Sequence, residues 1–417
     1  MKLLLIHQGF PGQFKHLIPH LQKRGDQITA ISAPRQKYQI PENVDYYTYK
    51  VRRGNGVGTH KLAVETESKV VRAEAVAAIA KQLEVRGYKP DLILAHPGWG
   101  EALFLADIWP DTPQLHYVEF AYGAKGTDTD FPDRHTPEKT WQERARGRMK
   151  NANVLLNLQE MTWGLTPTGF QQSTLPVWAQ NKTSVIHDGI DTDWACPDQG
   201  ATVQLASGQV LSIKDELITF VNRTFEPYRG IHVMLEALPV VMQKRPNVQV
   251  LLVGQDTPKV SYGEHRSDGQ GWLTALRQEI GEKVDWSRIH ALGKVPHNTL
   301  REIFRVSSAH VYLTYPFVLS WSLLEAMSCE ALIIGSDTAP VREVIEDGRN
   351  GLLVPFNSSE KLATKLIDVL KEPQKYNQMR AEGRKTITRR YDLQKSIKRQ
   401  TALIDAVANG AIAAEYP

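Results

Sequence analysis

The segment KLLLIHQGFPGQFKHLIPHLQKRGDQITAIS, residues 2–32, decides the fold class of this chain. Its first residues, Lys2 to His7, form an apolar run that is typical of a buried parallel strand. A turn that contains Gly12 follows, and apolar side chains then recur at helical spacing over residues 14–21. A second apolar run covers residues 26–32. Strand, glycine-containing turn, helix and strand together predict a βαβ crossover in a parallel sheet.

The same alternation recurs in two blocks along the chain. In the first block the predicted strands are DLILAH (91–96), PQLHYVEF (113–120), NVLLNL (153–158) and the start of TSVIHDGIDT (183–192). In the second block they are LITFVN (217–222), VQVLLVG (248–254), RIHALG (288–293), HVYLTY (310–315), ALIIGS (331–336) and GLLVPF (351–356). Residues 193–210 are polar and aperiodic, which indicates a linker or a peripheral excursion. Two blocks of alternating strands and helices predict an α/β protein with two Rossmann-like parallel-sheet domains.

Composition excludes several classes of protein. The chain has 417 residues, of which 41% are hydrophobic and 23% are charged, which is ordinary for a globular protein of two domains. A net charge of +4 is too small to indicate a nucleic-acid partner. The two cysteines, Cys196 and Cys329, give neither a disulfide framework nor a metal-ligand spacing, which favours a cytoplasmic location. The N-terminal apolar run is too short for a signal peptide, and none of the apolar runs reaches the ~20 residues of a spanning helix.

Two arginines lie where a parallel sheet usually binds ligands. Arg223 and Arg229 follow the first strand of the second block and precede a predicted helix at Ile231. Two guanidinium groups beside a helix start predict a phosphate site. The alternative is a pair of surface arginines that form ion pairs with Glu226 or nearby aspartates.

The stretch YPFVLSWSLLEAM, residues 315–327, holds a single carboxylate in an apolar run. Ser322 and Glu325 have the spacing of a capping box, which would give Glu325 a structural role. Alternatively, the free N–H groups from Ser320 to Ser322 face an anion, and Glu325 accepts hydrogen bonds from sugar hydroxyls. The two interpretations are compatible.

Polar residues also follow the strands of the first block. HPGWGE starts at His96 and HYVEFAYG at His116, and a His or Glu at such a position faces a cleft or is a satisfied structural group. If Val118 packs inward, Glu119 points away from the core. The basic stretches at 142–150 and 384–391 are solvated helix faces or, as a weaker alternative, contacts with anionic lipid.

Taken together, these segments resemble the family 4 glycosyltransferases, which have the GT-B fold. The resemblance is strongest over residues 217–241 and 289–356, with VIHDGIDT (185–192) upstream, and the order and spacing of these pieces carry it. It implies two domains that face a central cleft and metal-independent transfer of a sugar from a nucleotide diphosphate sugar, with retention at the anomeric carbon. No cofactor is implied, because the nucleotide sugar is a substrate. The implied domains are 1–195 on the acceptor side and 196–391 on the donor side, with residues 392–417 as a helix that crosses back to the first domain.

The resemblance also implies roles for individual residues. Arg223 and Arg229 match the pair that grips the donor diphosphate, and Glu325 matches the acid that holds the ribose. Gly12 matches the glycine that lets the first domain approach the donor phosphates. The remaining donor-side candidates are Gly293, Lys294 and Val295 at the base and Phe317, Ser320, Trp321 and Ser322 around the sugar and phosphates. Glu119 is a catalytic candidate, and the acceptor-side candidates are His96, Trp99, Glu101 and Tyr122.

The sequence departs from the family pattern at four positions. Phe317 replaces an acid that contacts the donor-sugar hydroxyls, and Asn222 replaces the glycine before the first phosphate arginine. Asp188 replaces an asparagine in the turn at 187–192, and Glu119 stands where many members carry a histidine in the cleft. Donor-sugar selection is therefore expected to use apolar contacts or backbone amides at position 317.

Three functions stay open at this point. The first is an active glycosyltransferase that uses a UDP- or GDP-sugar and a glycan, lipid-linked or small-molecule acceptor, in the cytoplasm or on the inner face of the membrane. The second is a nucleotide-sugar-binding protein that has lost turnover, with Phe317 as the lesion. The third is another GT-B enzyme, such as a sugar-nucleotide epimerase.

Overall fold

The computed structural model describes residues 1–34, 40–123, 126–135 and 138–411. The chain divides into two compact units. The first unit comprises residues 1–130, 138–189 and those from 393 onward, and the second comprises 131–135 and 190–392, counted over the described residues. In the described part of the chain, no helix is long and apolar enough to cross a membrane.

The first unit contains a parallel sheet of seven strands in the order β3-β2-β1-β4-β5-β6-β7. The strands are β1 Lys2–Ile6, β2 Gln27–Ser32, β3 Val44–Thr48, β4 Leu92–Ala95, β5 Gln114–Tyr117, β6 Trp163–Thr166 and β7 Thr183–Val185. Its helices are α1 Leu17–Lys23, α2 Val64–Val85, α3 Trp141–Glu160, α4 Gly169–Ser173 and α5 Val177–Gln180, and the C-terminal helix Leu393–Ala408 also belongs to it.

Both faces of the first sheet are buried, as the apolar runs predict. Leu3 and Leu5 pack in one cluster with the C-terminal helix, whereas Leu4 and Ile6 pack in another with α2. A strand with alternate side chains in two cores has no polar face, so it reads as a continuous apolar run. The parallel pairing of β1 with β2 and β4 confirms the βαβ crossover predicted from residues 2–32.

The second unit contains a parallel sheet of six strands in the order β12-β11-β10-β13-β14-β15 and a small antiparallel pair, β8-β9. The strands are β8 Thr202–Gln204, β9 Val210–Ser212, β10 Leu217–Thr224, β11 Gln249–Gln255, β12 Ile289–Gly293, β13 Ala309–Tyr312, β14 Ile333–Ser336 and β15 Leu352–Val354. The helices are α6 Ile231–Lys244, α7 Trp272–Ile280, α8 His297–Val306, α9 Trp321–Ser328, α10 Ala339–Arg342, α11 Ser359–Lys371 and α12 Asn377–Arg390. Two parallel α/β units confirm the predicted fold class.

Two predictions about local structure are wrong. NVLLNL (153–158) is not a strand but the end of α3, where Val154 and Leu158, four residues apart, are buried and Leu155 and Leu156 are exposed. Spacing of four residues is helical, and the run alone did not separate a strand from a helix. The linker alternative for 193–210 also fails, because β8 and β9 pair there and Val203 and Leu211 are buried in the second unit.

Candidate functional site

The carboxyl end of β10 carries the first predicted phosphate ligand. Arg223 is exposed there, and the register between β10 and β11 shifts between Val221 and Thr224. Arg223 forms no hydrogen bond or ion pair with the residues that the structure describes. Its guanidinium is therefore available to bind an anionic ligand.

Arg229, by contrast, is built into the fold. It ends the short turn Pro227–Arg229 before α6, and its side chain is only 5% exposed. Nη1 donates to the hydroxyls of Tyr312 at 3.3 Å and Thr314 at 2.8 Å, and Nη2 donates to the carbonyl oxygen of Val318 at 3.2 Å. Among the described residues, nothing accepts from Nε–H or from the second Nη2–H. The guanidinium is thus fixed in orientation and keeps donors for an anion.

The surface ion pair considered for these arginines is wrong for Arg229, and Glu226 has another role. Glu226 is buried, and its Oε2 accepts hydrogen bonds from Thr224 Oγ1 at 2.5 Å and the backbone N–H of Ser261 at 3.0 Å. Burial raises the pKa of Glu226, and these hydrogen bonds oppose the rise. Glu226 therefore holds the loop at Ser261 and Tyr262 against the end of β10. The Tyr262 ring in turn lies 5.2 Å from the guanidinium carbon of Arg229.

Phe317 lies in an aromatic cluster beside Arg229. The side chain is 5% exposed, and its ring centroid lies 5.4 Å from that of Tyr228 and 5.0 Å from that of Tyr262. Both pairs are edge-to-face, which is a favourable arrangement of aromatic rings. Phe317 therefore packs against the ring that covers Arg229.

Helix α9 starts two residues earlier than the proposed capping box requires. Its N-cap is Ser320, whose Oγ accepts a hydrogen bond from the Ser322 backbone N–H at 3.3 Å. The capping box of Ser322 and Glu325 is thus wrong, because the chain is already helical at Trp321. The backbone N–H of Ser320 donates to the Tyr312 hydroxyl at 2.9 Å, and Arg229 donates to the same oxygen. Tyr312 links the arginine to the helix start.

Glu325 pairs with a histidine that sequence reasoning did not single out. Its Oε1 lies 3.0 Å from His297 Nε2, and the half-exposed His297 ring stacks on Trp194 at 4.0 Å. His297 begins α8, directly after the loop of Gly293, Lys294 and Val295. The structure thus places this loop next to Glu325 through His297.

Gly293 has a φ of +64°, and no atom lies near an added Cβ, so its backbone conformation alone favours glycine. Lys294 is exposed and Val295 half-buried.

In the first unit, Gly12 lies against His7. Its φ is +51°, and a Cβ at this position would overlap the imidazole ring of His7. The close approach that requires glycine here is therefore to a side chain of the same unit, and this geometry is independent of any bound phosphate.

Replacing Gly12 by alanine should destabilise the first unit because the new Cβ adds both a left-handed backbone cost and a clash with His7. We expect a loss of roughly 2–3 kcal/mol in the free energy of unfolding, measured by urea denaturation. The control is Gly25→Ala, since Gly25 has a φ of +93° but open space around an added Cβ. Equal losses in the two variants would show that the contact with His7 has no energetic weight.

Glu119 lies in a polar cluster with Gln13 and with two histidines, His7 and His96, that directly follow neighbouring strands. Its Oε1 accepts from Gln13 Nε2 at 3.2 Å, and His96 Nε2 lies 3.7 Å from Oε2. His7 Nε2 lies 2.7 Å from Gln13 Oε1. In both His7 and His96, Nδ1 accepts the backbone N–H two residues on, which leaves Nε2 as the N–H donor of the neutral ring.

These contacts favour the ionised form of Glu119. Burial alone would raise the pKa of this carboxyl, but His96, His7 and Gln13 outweigh it and lower the pKa below its ordinary value. The side chain is 36% exposed. Glu119 is thus a carboxylate with a fixed orientation and an accessible edge, which suits it to accept a hydrogen bond from a hydroxyl group.

The acceptor-side candidates lie in different surroundings. Trp99 is half-buried and stacks on His96 at 4.2 Å, beside Glu119. Tyr122 is half-buried, and its backbone N–H donates a hydrogen bond to Asn151 Oδ1. Lys150 Nζ lies 5.0 Å from the centroid of the Tyr122 ring. Glu101 is 1% exposed and accepts a hydrogen bond from the Tyr49 hydroxyl at 2.6 Å, so it lies in the core. Burial raises the pKa of Glu101, and the hydrogen bond from Tyr49 opposes the rise.

The structure links some of the predicted residues into one group in each unit, whereas Arg223 has no partner among the described residues and Glu101 lies in the core. Arg229, Phe317, Ser320, Trp321 and Ser322 are linked in the second unit, with Glu325 further along α9. Gly12, His96, Trp99 and Glu119 are linked in the first. Sequence reasoning missed His7, Gln13, Tyr262 and His297. His7 directly follows β1 just as His96 directly follows β4, so its position in the sequence could have identified it. In the described residues, no group of three or more His, Cys, Asp and Glu side chains has the arrangement of a metal site.

Sequence comparison identifies two matching families that together cover most of the chain. The glycosyl transferase family 4 group matches residues 24–195, and the glycosyl transferases group 1 matches residues 206–386. The phosphatidyl-myo-inositol mannosyltransferase of Mycolicibacterium smegmatis is 31% identical over 161 residues, which are 38% of this chain and 36% of that protein. The trehalose synthase of Pyrococcus horikoshii is 24% identical over 242 residues, 56% of this chain and 54% of that protein. The matched part thus spans about a third to a half of these relatives.

Solved structures match over nearly the whole length. Sucrose-phosphate synthase from Thermosynechococcus elongatus has a TM-score of 0.74 at 17% identity, covering 98% of this chain and 100% of that one. Anabaena HepE, solved in complex with UDP-glucose, has a TM-score of 0.67 at 18% identity, covering 97% and 100%. Likeness at this level of identity concerns the fold, which is the predicted GT-B fold. From the family matches, the chain belongs to the family 4 glycosyltransferases, the glycosyl transferases of group 1.

Proposed function

We propose that this protein transfers a sugar from a nucleotide diphosphate sugar to an acceptor, with retention at the anomeric carbon and without a metal ion. The observation that carries the proposal is that both arginines have N–H donors available for an anion. Arg229 is oriented by three hydrogen bonds and keeps two donors, and Arg223 is exposed without a partner among the described residues. Two positive charges of this kind neutralise a diphosphate leaving group as its bond to the sugar breaks.

The donor is a UDP- or GDP-sugar in this proposal. Its diphosphate binds Arg223, Arg229 and the start of α9, and its ribose hydroxyls bind Glu325. HepE, which shares the fold, was solved with UDP-glucose, and this supports a nucleotide sugar as the ligand class. Phe317 cannot hydrogen-bond to the donor sugar, so selection of the sugar uses backbone groups or apolar contact.

The acceptor is a glycan, a lipid-linked glycan or a small molecule, bound beside Glu119 and Trp99. Glu119 accepts a hydrogen bond from the attacking hydroxyl, and Trp99 offers a ring face to a sugar. The mannosyltransferase relatives act on phosphatidyl-myo-inositol by name, which supports a lipid-linked acceptor. A cytoplasmic location, at the inner face of the membrane, is part of the proposal.

A panel of UDP- and GDP-sugars tests the function. Mass spectrometry should detect the free nucleoside diphosphate from at least one donor, at the same rate with and without EDTA. Binding of UDP or GDP with no release from any donor would instead favour the binding-protein alternative. Interconversion of donor sugars without release would favour an epimerase.

Replacing Glu325 by glutamine should weaken binding of the matching nucleoside diphosphate about tenfold, because the ribose loses a charged hydrogen-bond acceptor. The melting temperature should change little, since Glu325 does not cap α9. Isothermal titration calorimetry measures the affinity. His297→Ala is the control, because it removes the protein partner of Glu325 and leaves the carboxylate. Unchanged affinity in the glutamine variant would remove Glu325 from the donor site.

A further inference from the structure

The segment FPDRH, residues 131–135, packs in the second unit although the described chain on both sides of it belongs to the first unit. We call this segment the strap. Each of its residues contacts a side chain of the second unit, through a ring, a carbonyl oxygen or a charged group. The strap is therefore docked by specific contacts along its whole length.

The first residue of the strap packs on the aromatic cluster of Phe317. The ring centroid of Phe131 lies 4.7 Å from that of Tyr315 and 5.2 Å from that of Phe356. Tyr315 is 1% exposed, its backbone N–H donates to the carbonyl oxygen of Tyr228 at 3.0 Å, and the Tyr228 ring contacts Phe317. The docked strap thus covers one side of this cluster.

A buried polar pair holds the middle of the strap. Asp133 Oδ2 lies 2.8 Å from Nε2 of His232 in α6, and the two side chains are 1% and 2% exposed. Asp133 Oδ1 accepts a hydrogen bond from the backbone N–H of His135 at 2.7 Å, and the side chain of Asn357 donates to the carbonyl oxygen of Pro132 at 2.5 Å. A carboxylate this buried depends on its partners, so docking responds to the charges around it.

The last residue of the strap is a histidine between two rings of the second unit. The half-buried ring of His135 lies 4.8 Å from that of His232 and 5.0 Å from that of Trp272, both edge-to-face. The other charged groups near these rings are those of Arg134 and Asp133 in the strap, Glu236 of α6, Glu279 of α7, and Arg266, which lies over Trp272. A proton on His135 would therefore lie in a partly dehydrated place beside other cationic groups.

The surroundings make the charge of His135 unfavourable in the docked state. Burial lowers the pKa of His135 from 6.5 to about 4, and the charges of His232 and Arg134 act in the same direction. The contribution of His135 to docking is therefore full above pH 6.5 and is lost as the pH falls from 6.5 towards 4. Asp133 stays ionised through this range, because His232 outweighs burial and lowers the pKa of Asp133.

We propose that the strap is a pH-sensitive element that is docked at neutral pH and released in mildly acidic solution. Release follows from the gain of a proton by His135, and it removes Phe131 from Tyr315. A proton gained by His232 would instead strengthen the pair with Asp133, so the two histidines predict opposite trends. The proposal concerns the packing of the second unit and does not depend on the proposed function.

Hydrogen exchange of the full chain, followed by mass spectrometry at pH 5 and pH 7.5, tests the strap. After correction for the intrinsic pH dependence of exchange, the peptide with residues 131–135 should exchange roughly tenfold faster at pH 5, a factor reduced for the partial exposure of His135. The internal reference is the peptide with Asp285 and Ser287. There a carboxylate also accepts the backbone N–H two residues on, at 3.0 Å, and no histidine is bonded to it in the described chain. Its corrected rate should change less than twofold.

Variants at His135 identify the group that gains the proton. His135→Phe keeps a ring beside Trp272 but cannot be charged, so the strap should exchange slowly at both pH values. His135→Gln gives the same readout with a smaller side chain. The matched control is His20→Gln, which removes a histidine from an exposed position of α1 and should keep the tenfold effect.

Three results would overturn the proposal. The first is equal corrected exchange of the strap at both pH values in the unmodified protein. The second is slower exchange at pH 5, which is the trend expected from His232. The third is a pH effect that persists in His135→Phe and His135→Gln.

Discussion

Replacing Arg229 by alanine should remove most donor turnover and also weaken the second unit, whereas Arg223→Ala should affect turnover alone. The difference follows from their surroundings. Arg229 is buried and donates to Tyr312, Thr314 and Val318, so its loss removes hydrogen bonds from the Thr314 hydroxyl and the Val318 carbonyl oxygen and leaves the Tyr312 hydroxyl with only the Ser320 N–H as donor. Arg223 is exposed and has no partner among the described residues.

For turnover, each substitution should lower kcat roughly 100-fold or more, about 3 kcal/mol of transition-state stabilisation, measured by release of the nucleoside diphosphate. For stability, Arg229→Ala should lower the free energy of unfolding by roughly 2–4 kcal/mol. Arg223→Ala should leave it unchanged within about 0.5 kcal/mol in the same urea titration. From sequence alone, both arginines would be treated as ligands with little effect on folding.

Arg229→Lys adds a control that keeps the charge. A lysine cannot reproduce the planar set of hydrogen bonds, so both stability and turnover should fall part of the way. Full turnover in the alanine variant of either arginine would exclude that residue from the reaction. A stable Arg229→Ala protein would contradict the structural role of its hydrogen bonds.

The second large effect is expected at Phe317. Phe317→Glu places a carboxylate among the rings of Tyr228 and Tyr262, at a buried position where it loses most of its hydration. We expect a loss of roughly 4 kcal/mol or more at pH 7. Phe317→Leu keeps the site apolar and should cost only about 1–2 kcal/mol.

The pH dependence gives this prediction a distinctive signature. Burial raises the pKa of the new carboxyl in the folded state above its unfolded value of about 4.3. The loss in the free energy of unfolding is therefore largest at neutral pH. It becomes smaller as the pH falls through the pKa of the folded state, and it is smallest below the pKa of the unfolded state. Urea titrations at several pH values measure the difference from Phe317→Leu. A stable glutamate variant with altered donor preference would instead place this side chain against the sugar.

Much of the fold could be predicted from the sequence because its parallel strands are buried on both faces. Apolar runs such as LITFVN and HVYLTY carry that signal directly. The prediction for NVLLNL failed because two of its leucines are exposed on a helix. For residues 193–210 only the linker interpretation failed, because Val203 pairs with Leu211 in a short hairpin and both side chains are buried.

The candidate site was predicted less completely, for a physical reason. Loop positions after strands identify residues that can reach a ligand, and Arg223 fits this. They do not indicate which side chains the fold itself uses. Arg229 is bound by residues 83 to 89 positions away in sequence, and Glu325 by His297, 28 positions away. Contacts of this range depend on the packing of several elements and leave no local pattern.

The most direct test of donor binding in the second unit is a crystal structure of the protein with UDP or GDP, whichever binds. We expect diphosphate oxygens within about 3 Å of the guanidinium groups of both Arg223 and Arg229, and a ribose hydroxyl at Glu325. A nucleotide bound elsewhere, or bound with both arginines turned away from its phosphates, would contradict the proposed donor site.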